Sequence, residues 1–150
     1  MCIRDRPDIE ALLQRNKQKK LWITGHSLGG AMATLCASRL EEKEPNLYTY
    51  GSPRVGGQEF CDGMDVKHWR FVNNNDIVTK VPFWFMGFRH HGIEWYINYY
   101  GNVRDHTYWQ RVKDSWRGRW KAIKKRQLFD GMYDHSITGY ADKLLKILRS

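Results

Sequence analysis

Apolar and polar positions along the chain follow two periods. Residues 21–24, 47–51 and 67–72 are short apolar runs that read as strands, the last through Trp69, Phe71 and Val72. Between them, residues 28–42 carry Ala31, Ala33, Ala37 and Ser38 at helix-compatible spacing, ending in Glu41-Glu42-Lys43-Glu44 and Pro45. A short helix is predicted near 58–63, and a surface helix from Pro7, with Ile9, Leu12 and Leu13 as its apolar face and Arg15 to Lys20 as its basic end. The run 21–24 is too uniformly apolar to leave a wet face, which predicts a central strand covered on both sides. Strand, helix, strand, helix, strand predicts an α/β fold: a mostly parallel sheet flanked by helices.

Downstream the pattern changes. Asn73-Asn74-Asn75-Asp76 favours a turn with unusual backbone angles, and 78–88 reads as an irregular apolar loop. Residues 90–102 read as a strand and turn, a hairpin at the sheet edge. In 105–126 the apolar Trp109, Val112, Trp116, Trp120 and Ile123 share one helical face, although Gly118 weakens the helix. After Asp134-His135-Ser136, the residues Ile137, Tyr140, Ala141, Leu144, Leu145 and Leu148 form the apolar stripe of a C-terminal helix.

Composition narrows the picture. The chain has 150 residues, enough for one domain, and a net charge of +9 raises a nucleic-acid hypothesis, which 41% apolar and 14% aromatic residues turn toward a globular domain. The three cysteines, Cys2, Cys36 and Cys61, form no paired framework. No apolar window reaches the roughly 20 residues of a membrane span, and the polar start shows no signal segment. Met1 to Arg6 has no periodicity and is expected to be a non-native leader, with 7–150 as a single domain.

The chemistry centres on Gly25-His26-Ser27-Leu28-Gly29-Gly30, placed between a strand and a helix. A G-x-S-x-G turn there lifts a serine hydroxyl above the sheet edge as a nucleophile, with Gly25 and Gly29 keeping side chains out of the strand–helix approach. The Leu28 N–H at the helix start then serves as an oxyanion donor. The rival phosphate-cradling turn lacks the Lys-Ser/Thr ending of a P-loop and the spacing of a dinucleotide fingerprint. Serine needs an imidazole to take its proton and a carboxylate to orient the imidazole. His106 and His135 both sit in Asp-His-Ser/Thr triplets. Position favours His135, which opens the last helix, and Asp76 after the third strand is the acid, giving the chain order Ser, Asp, His. His90 and His91 lack ligand-spaced partners apart from Glu94, so no metal is expected.

These residues resemble the class 3 lipase family of the α/β-hydrolase superfamily. The resemblance rests on the stretch from Leu21 to Ala31, on Tyr50-Gly51-Ser52-Pro53-Arg54-Val55-Gly56, on Asn75-Asp76-Ile77-Val78 with Val81-Pro82, on Phe88-Arg89-His90 with Glu94, and on Asp134-His135-Ser136 with Tyr140. It implies Ser27 as nucleophile, Asp76 as orienting acid, His135 as base, no cofactor, and an acylglycerol or related lipid ester as substrate. It also implies that the first strands, a second oxyanion donor and a lid lie upstream of the elbow. The chain is therefore expected to be an N-terminally truncated fragment, weakly active or inactive alone. The alternatives within esterases are a phospholipase A1 and a feruloyl-type esterase. Outside them stands a non-catalytic basic module binding anionic membrane or nucleic acid. The segment from Arg111 to Arg126 holds eight Lys or Arg against one acid, and with Trp109, Trp116 and Trp120 it is a candidate lipid contact, nucleic acid being the weaker partner.

Overall fold

The computed structural model describes residues 6–74, 76–98, 103–104 and 134–149. The first five residues of the expected leader Met1–Arg6 and the basic segment 105–126, with His106, Trp109, Trp116 and Trp120, lie outside them, and Arg6 opens α1. The elements are α1 (Arg6–Arg15), β1 (Trp22–His26), α2 (Leu28–Ser38), β2 (Asn46–Tyr50), α3 (Gln58–Asp62), β3 (Lys67–Asn73), β4 (Ile93–Ile97), β5 (Val103–Arg104) and α4 (Ile137–Leu148). Among the described residues the strands form one sheet in the order β1-β2-β3-β4-β5. The first four are parallel, and β5 returns antiparallel on β4 as the expected edge hairpin.

Strand alternation sorts side chains onto two faces. Leu47 from β2 meets Ala33 and Ala37 of α2, joined by Met64 and Val66 and flanked by Ile23 and Phe60, to make the core. The small α2 residues let helix and sheet approach closely. The other face is aromatic: Trp22, Tyr48 and Trp69 stack in one row, and Tyr50, Phe71 and Trp95 make a second. Tyr140 of α4 packs edge-on against Tyr50 and is 2% exposed.

Two expectations are corrected. β1 is an edge strand of the described sheet and not a central one, with Trp22 61% exposed. Three apolar residues and a threonine cannot distinguish burial on both faces from one face plus an aromatic row. Helix α2 stops at Ser38, because Leu40 leaves helical geometry to bury its side chain, and residues Glu41–Lys43 form a separate 3-10 turn.

Candidate active site

The sheet's parallel strands deliver three loops to the same end. Ser27, between β1 and α2, has φ 58° and ψ −129°, a backbone conformation strained for a side-chain-bearing residue. Its N–H donates to the Tyr50 carbonyl at 3.0 Å, pinning the elbow to the neighbouring strand. A Cβ on Gly25 would lie 2.2 Å from the Gly29 carbonyl oxygen, so the strand–helix approach requires that glycine. The second close approach belongs to Gly30, whose Cβ would lie 2.8 Å from Ser52 Cβ, and not to Gly29, which faces open space. Leu28 is the first residue of α2, so its N–H has no acceptor within the helix.

Asp76 stands after β3, fully buried. Its Oδ1 accepts the Val78 N–H at 2.9 Å and its Oδ2 accepts the Tyr140 hydroxyl at 2.7 Å. His135 Nδ1 lies 3.0 Å from both carboxylate oxygens, so it carries the proton and donates. That tautomer leaves the Nε2 lone pair facing Ser27 Oγ at 2.7 Å. Ser27, His135 and Asp76 are thus brought together in hydrogen-bonding sequence, in which a serine proton can pass to an imidazole held by a carboxylate.

Each residue of the Asp134-His135-Ser136 triplet has a separate task. Asp134 fixes the approach: its carbonyl accepts from Asn73 Nδ2 at 2.8 Å and its carboxylate from Asn74 Nδ2 at 3.1 Å. Asn74 has φ 34°, a conformation that asparagine tolerates. Ser136 caps α4 by accepting the Gly139 N–H at 3.1 Å. His135 lies between them. Tyr140, one turn into α4, also accepts the Asn73 N–H at 2.9 Å, and burial beside the Asp76 carboxylate pushes its phenol pKa upward.

Three contributors escape sequence reasoning. His26 donates from Nε2 to the His135 carbonyl at 2.8 Å and stacks on the His135 ring at 4.9 Å. Gly51 has φ +59°, and a Cβ there would lie 2.7 Å from Asp76 Oδ2. Arg54 braces the Asp76 loop by donating to the Lys80 and Pro82 carbonyls. The Ser-Pro-Arg context after β2 marks Arg54 as unusual but does not reveal its acceptors. An open apolar cavity of about 350 Å³ lies behind His26, between Tyr50 and α4, and none of Ser27, Asp76 and His135 lines it.

A second histidine cluster sits toward the opposite end of the sheet, where β3 and β4 begin. His91 Nε2 donates to the Met64 carbonyl at 3.0 Å, which leaves its Nδ1 to accept from His68 Nδ1 at 3.2 Å. His68 Nε2 in turn accepts the Thr49 hydroxyl at 2.8 Å. This assignment is self-consistent only with both rings neutral. Burial, with neighbouring His91 and Arg70, pushes His68 down to about 3; burial and Arg70 do the same to His90, whose Nε2 donates to the Thr79 carbonyl at 2.7 Å. Arg70 pairs with Glu94 at 2.8 Å, which ties β3 to β4. Among the described residues no group of three or more His, Cys, Asp or Glu could hold a metal ion.

The family described as "Lipase (class 3)" matches residues 5–86, a span that includes Ser27 and Asp76 and stops short of His135. A lipase of Rhizomucor miehei is 42% identical over 88 residues, covering 52% of this chain and 24% of the relative. Toxin TseL of Vibrio cholerae serotype O1 is 42% identical over 79 residues, covering 49% of this chain and 12% of the toxin. A solved triacylglycerol lipase, whose catalytic centre is described as a serine protease triad, superposes with a TM-score of 0.54 at 37% identity, over 59% of this chain and 37% of that one. The chain thus spans at most 24% of the length of these two curated relatives.

Proposed function

The chain belongs to the class 3 lipase family, with the α/β-hydrolase fold, and from that premise we propose that Ser27, His135 and Asp76 form the reaction centre of a serine carboxylic-ester hydrolase acting on acylglycerols. The observation that carries the reading is the contact sequence Ser27 Oγ–His135 Nε2 at 2.7 Å and His135 Nδ1–Asp76 at 3.0 Å.

Ser27 Oγ attacks the ester carbonyl carbon as its proton passes to His135 Nε2, and Asp76 stabilises the resulting imidazolium. The carbonyl π electrons move to oxygen, which takes the Leu28 N–H. Collapse of that intermediate breaks the bond to the alcohol, which leaves with the proton from His135, and Ser27 holds the acyl group. Water then attacks the acyl carbon, His135 takes its proton and returns it to Ser27, and the fatty acid departs. A serine held by its strained turn and by the Tyr50 carbonyl starts this sequence with its hydroxyl already oriented, so little ordering entropy is lost in the transition state.

Apolar substrate chemistry is supported by Leu28, 69% exposed, Ile77, 55%, and Ile137, 62%, which follow closely on Ser27, Asp76 and His135 in the sequence. The same triad would serve a phospholipase A1 or a feruloyl-type esterase, and an acyl-chain-length series separates them. The basic segment from Arg111 to Arg126, with Trp109, Trp116 and Trp120, is a candidate lipid contact on its sequence pattern alone, in preference to nucleic acid.

The test is covalent capture by a fluorophosphonate probe. Labelling of the 150-residue chain that is lost in Ser27→Ala and in His135→Ala supports the reading. Labelling that persists in Ser27→Ala would sink it.

A further inference from the structure

The orientation of His135 rests on Asp76, and Asp76 rests on the turn that follows it. Its N–H donates to the Asn73 carbonyl at 2.8 Å and its Oδ1 accepts the Val78 N–H at 2.9 Å, so the carboxylate is aimed by backbone on both sides. Residues Val78–Lys80 make a single 3-10 turn. The last carbonyls of so short a turn have no partner within it and must take donors from elsewhere.

Two side chains supply those donors. Arg54 takes the Lys80 and Pro82 carbonyls, on the far side of the turn from Asp76. His90 takes the Thr79 carbonyl, its Nε2–H donating at 2.7 Å, and the Thr79 hydroxyl in turn donates to the Asp76 carbonyl at 2.9 Å. Thr79 is buried, so the protein itself must supply both partners. Ring, threonine and aspartate form a line of two hydrogen bonds that ends on the residue holding His135.

The segment that carries His90 is pinned on both sides. Before it, Arg89 bridges Gly56, with the Arg89 N–H donating to the Gly56 carbonyl at 2.8 Å. After it, His91 is held by the Met64 carbonyl and by His68, and Gly92, at φ +86°, passes so close that a Cβ would lie 2.6 Å from His68 Cγ. The His90 ring therefore reaches Thr79 from a fixed base. It also arrives uncharged. Burial first, then Arg70 and more weakly Arg54 keep it neutral against the opposing pull of the Thr79 carbonyl, and Arg70 is itself paired with Glu94. A neutral donor fixes the loop without bringing a charge of its own to the carboxylate that supports His135.

We infer that His90 is a positioning residue for Asp76, acting through Thr79 to set the carboxylate against His135. The inference rests on the proposed hydrolase reading and adds a residue, remote from the reacting atoms, on which its rate depends.

The test uses the 150-residue chain with His90→Ala, His90→Gln and Thr79→Val, each first shown to be folded by circular dichroism. Placement of Asp76 is read by NMR without any turnover. Exchange protection of the Val78 N–H and the low-field resonance of the proton that His135 Nδ1 donates to Asp76 should both weaken in His90→Ala, while amides of β2 keep their protection. Both should return in His90→Gln, whose side-chain amide replaces the Nε2 donor. The maximal rate of fluorophosphonate labelling should fall by about tenfold to a hundredfold in His90→Ala with the half-saturating probe concentration unchanged. Its pH midpoint should move to lower pH, because an imidazolium less well supported by Asp76 gives up its proton sooner. A mere loss of folded protein would lower the amplitude and leave the midpoint in place. His90→Ala combined with Thr79→Val should lose less than the product of the two single losses, since the two act in series. Should His90→Ala not fold, Thr79→Val carries the same readouts in the same direction.

An unchanged Val78 protection and His135 resonance would overturn the inference. So would a glutamine variant no better than alanine, or a slower rate with an unmoved pH midpoint. If the parent chain does not label, the hydrolase reading falls and NMR still decides whether His90 places Asp76. If it labels and the NMR readouts do not move, that reading stands and His90 does no more than pack.

Discussion

Two histidine clusters, built from the same side chain and set toward opposite ends of the strands, end on different acceptors. His135 ends on the Asp76 carboxylate and opens toward a hydroxyl. His91 ends on the Met64 carbonyl, and His68 is closed off by Thr49. A carboxylate stabilises an imidazolium and so permits a proton to arrive and leave, whereas burial first, and then Arg70, keep the His68 and His91 rings neutral against the opposing pull of the Met64 carbonyl. Residue type therefore does not separate the cluster proposed for chemistry from the other. The groups around each ring do.

That contrast can be broken most severely by making the first cluster resemble the second. Asp76→Asn keeps shape and burial but removes the charge, and the fluorophosphonate labelling rate should fall by about 10⁴; a drop below tenfold would erase the distinction. Gly51→Ala comes next. Its Cβ would lie 2.7 Å from Asp76 Oδ2 at φ +59°, so labelling should fall by about 10² and stability by roughly 1–3 kcal/mol in urea unfolding. Tyr140→Phe removes one donor to Asp76 and the acceptor of the Asn73 N–H, with an expected loss of about tenfold in labelling and roughly 1–3 kcal/mol in stability.

The smallest effect at neutral pH sharpens the second cluster. His68 and His90 are held near 3 when folded and titrate near 6.5 once unfolding returns them to water, so the unfolded chain binds protons that the folded chain refuses. Their contribution is present above about 6.5 and is lost as pH falls toward 3, by up to about 1.4 kcal/mol per pH unit for each ring. His68→Gln should flatten the pH dependence of unfolding between these limits, measured by urea titration at several pH values. An unaltered slope would show that His68 is not excluded from protonation.

Legibility in the sequence tracks distance along the chain. The strand–turn–helix at Ser27 is written in adjacent residues and reads directly, as does the apolar stripe of the helix that follows His135. Asp76 and His135 can be placed by order and by their position at element ends. The supports cannot: Gly51 matters because Asp76 lies above it, and Asn73 and Asn74 because Asp134 arrives from the last loop. His26 reads as an elbow residue, yet its ring is a platform for His135. Gly29 reads as the close-packed glycine because it completes the motif, whereas Gly30 is the one facing Ser52. The edge position of β1 is hidden because Trp22 lies in a stacked aromatic row that looks, in one dimension, like interior.

The hydrogen bond between Ser27 and His135 spans 108 positions, and that between His135 and Asp76 spans 59. Contacts of such separation incur the largest loop-closure entropy and form late, after local strand–helix units have condensed. On the proposed reading, labelling of Ser27 would time the end of folding: during refolding, helical signal should recover before the fluorophosphonate labels the serine, and the interval between them measures how long α4 takes to dock.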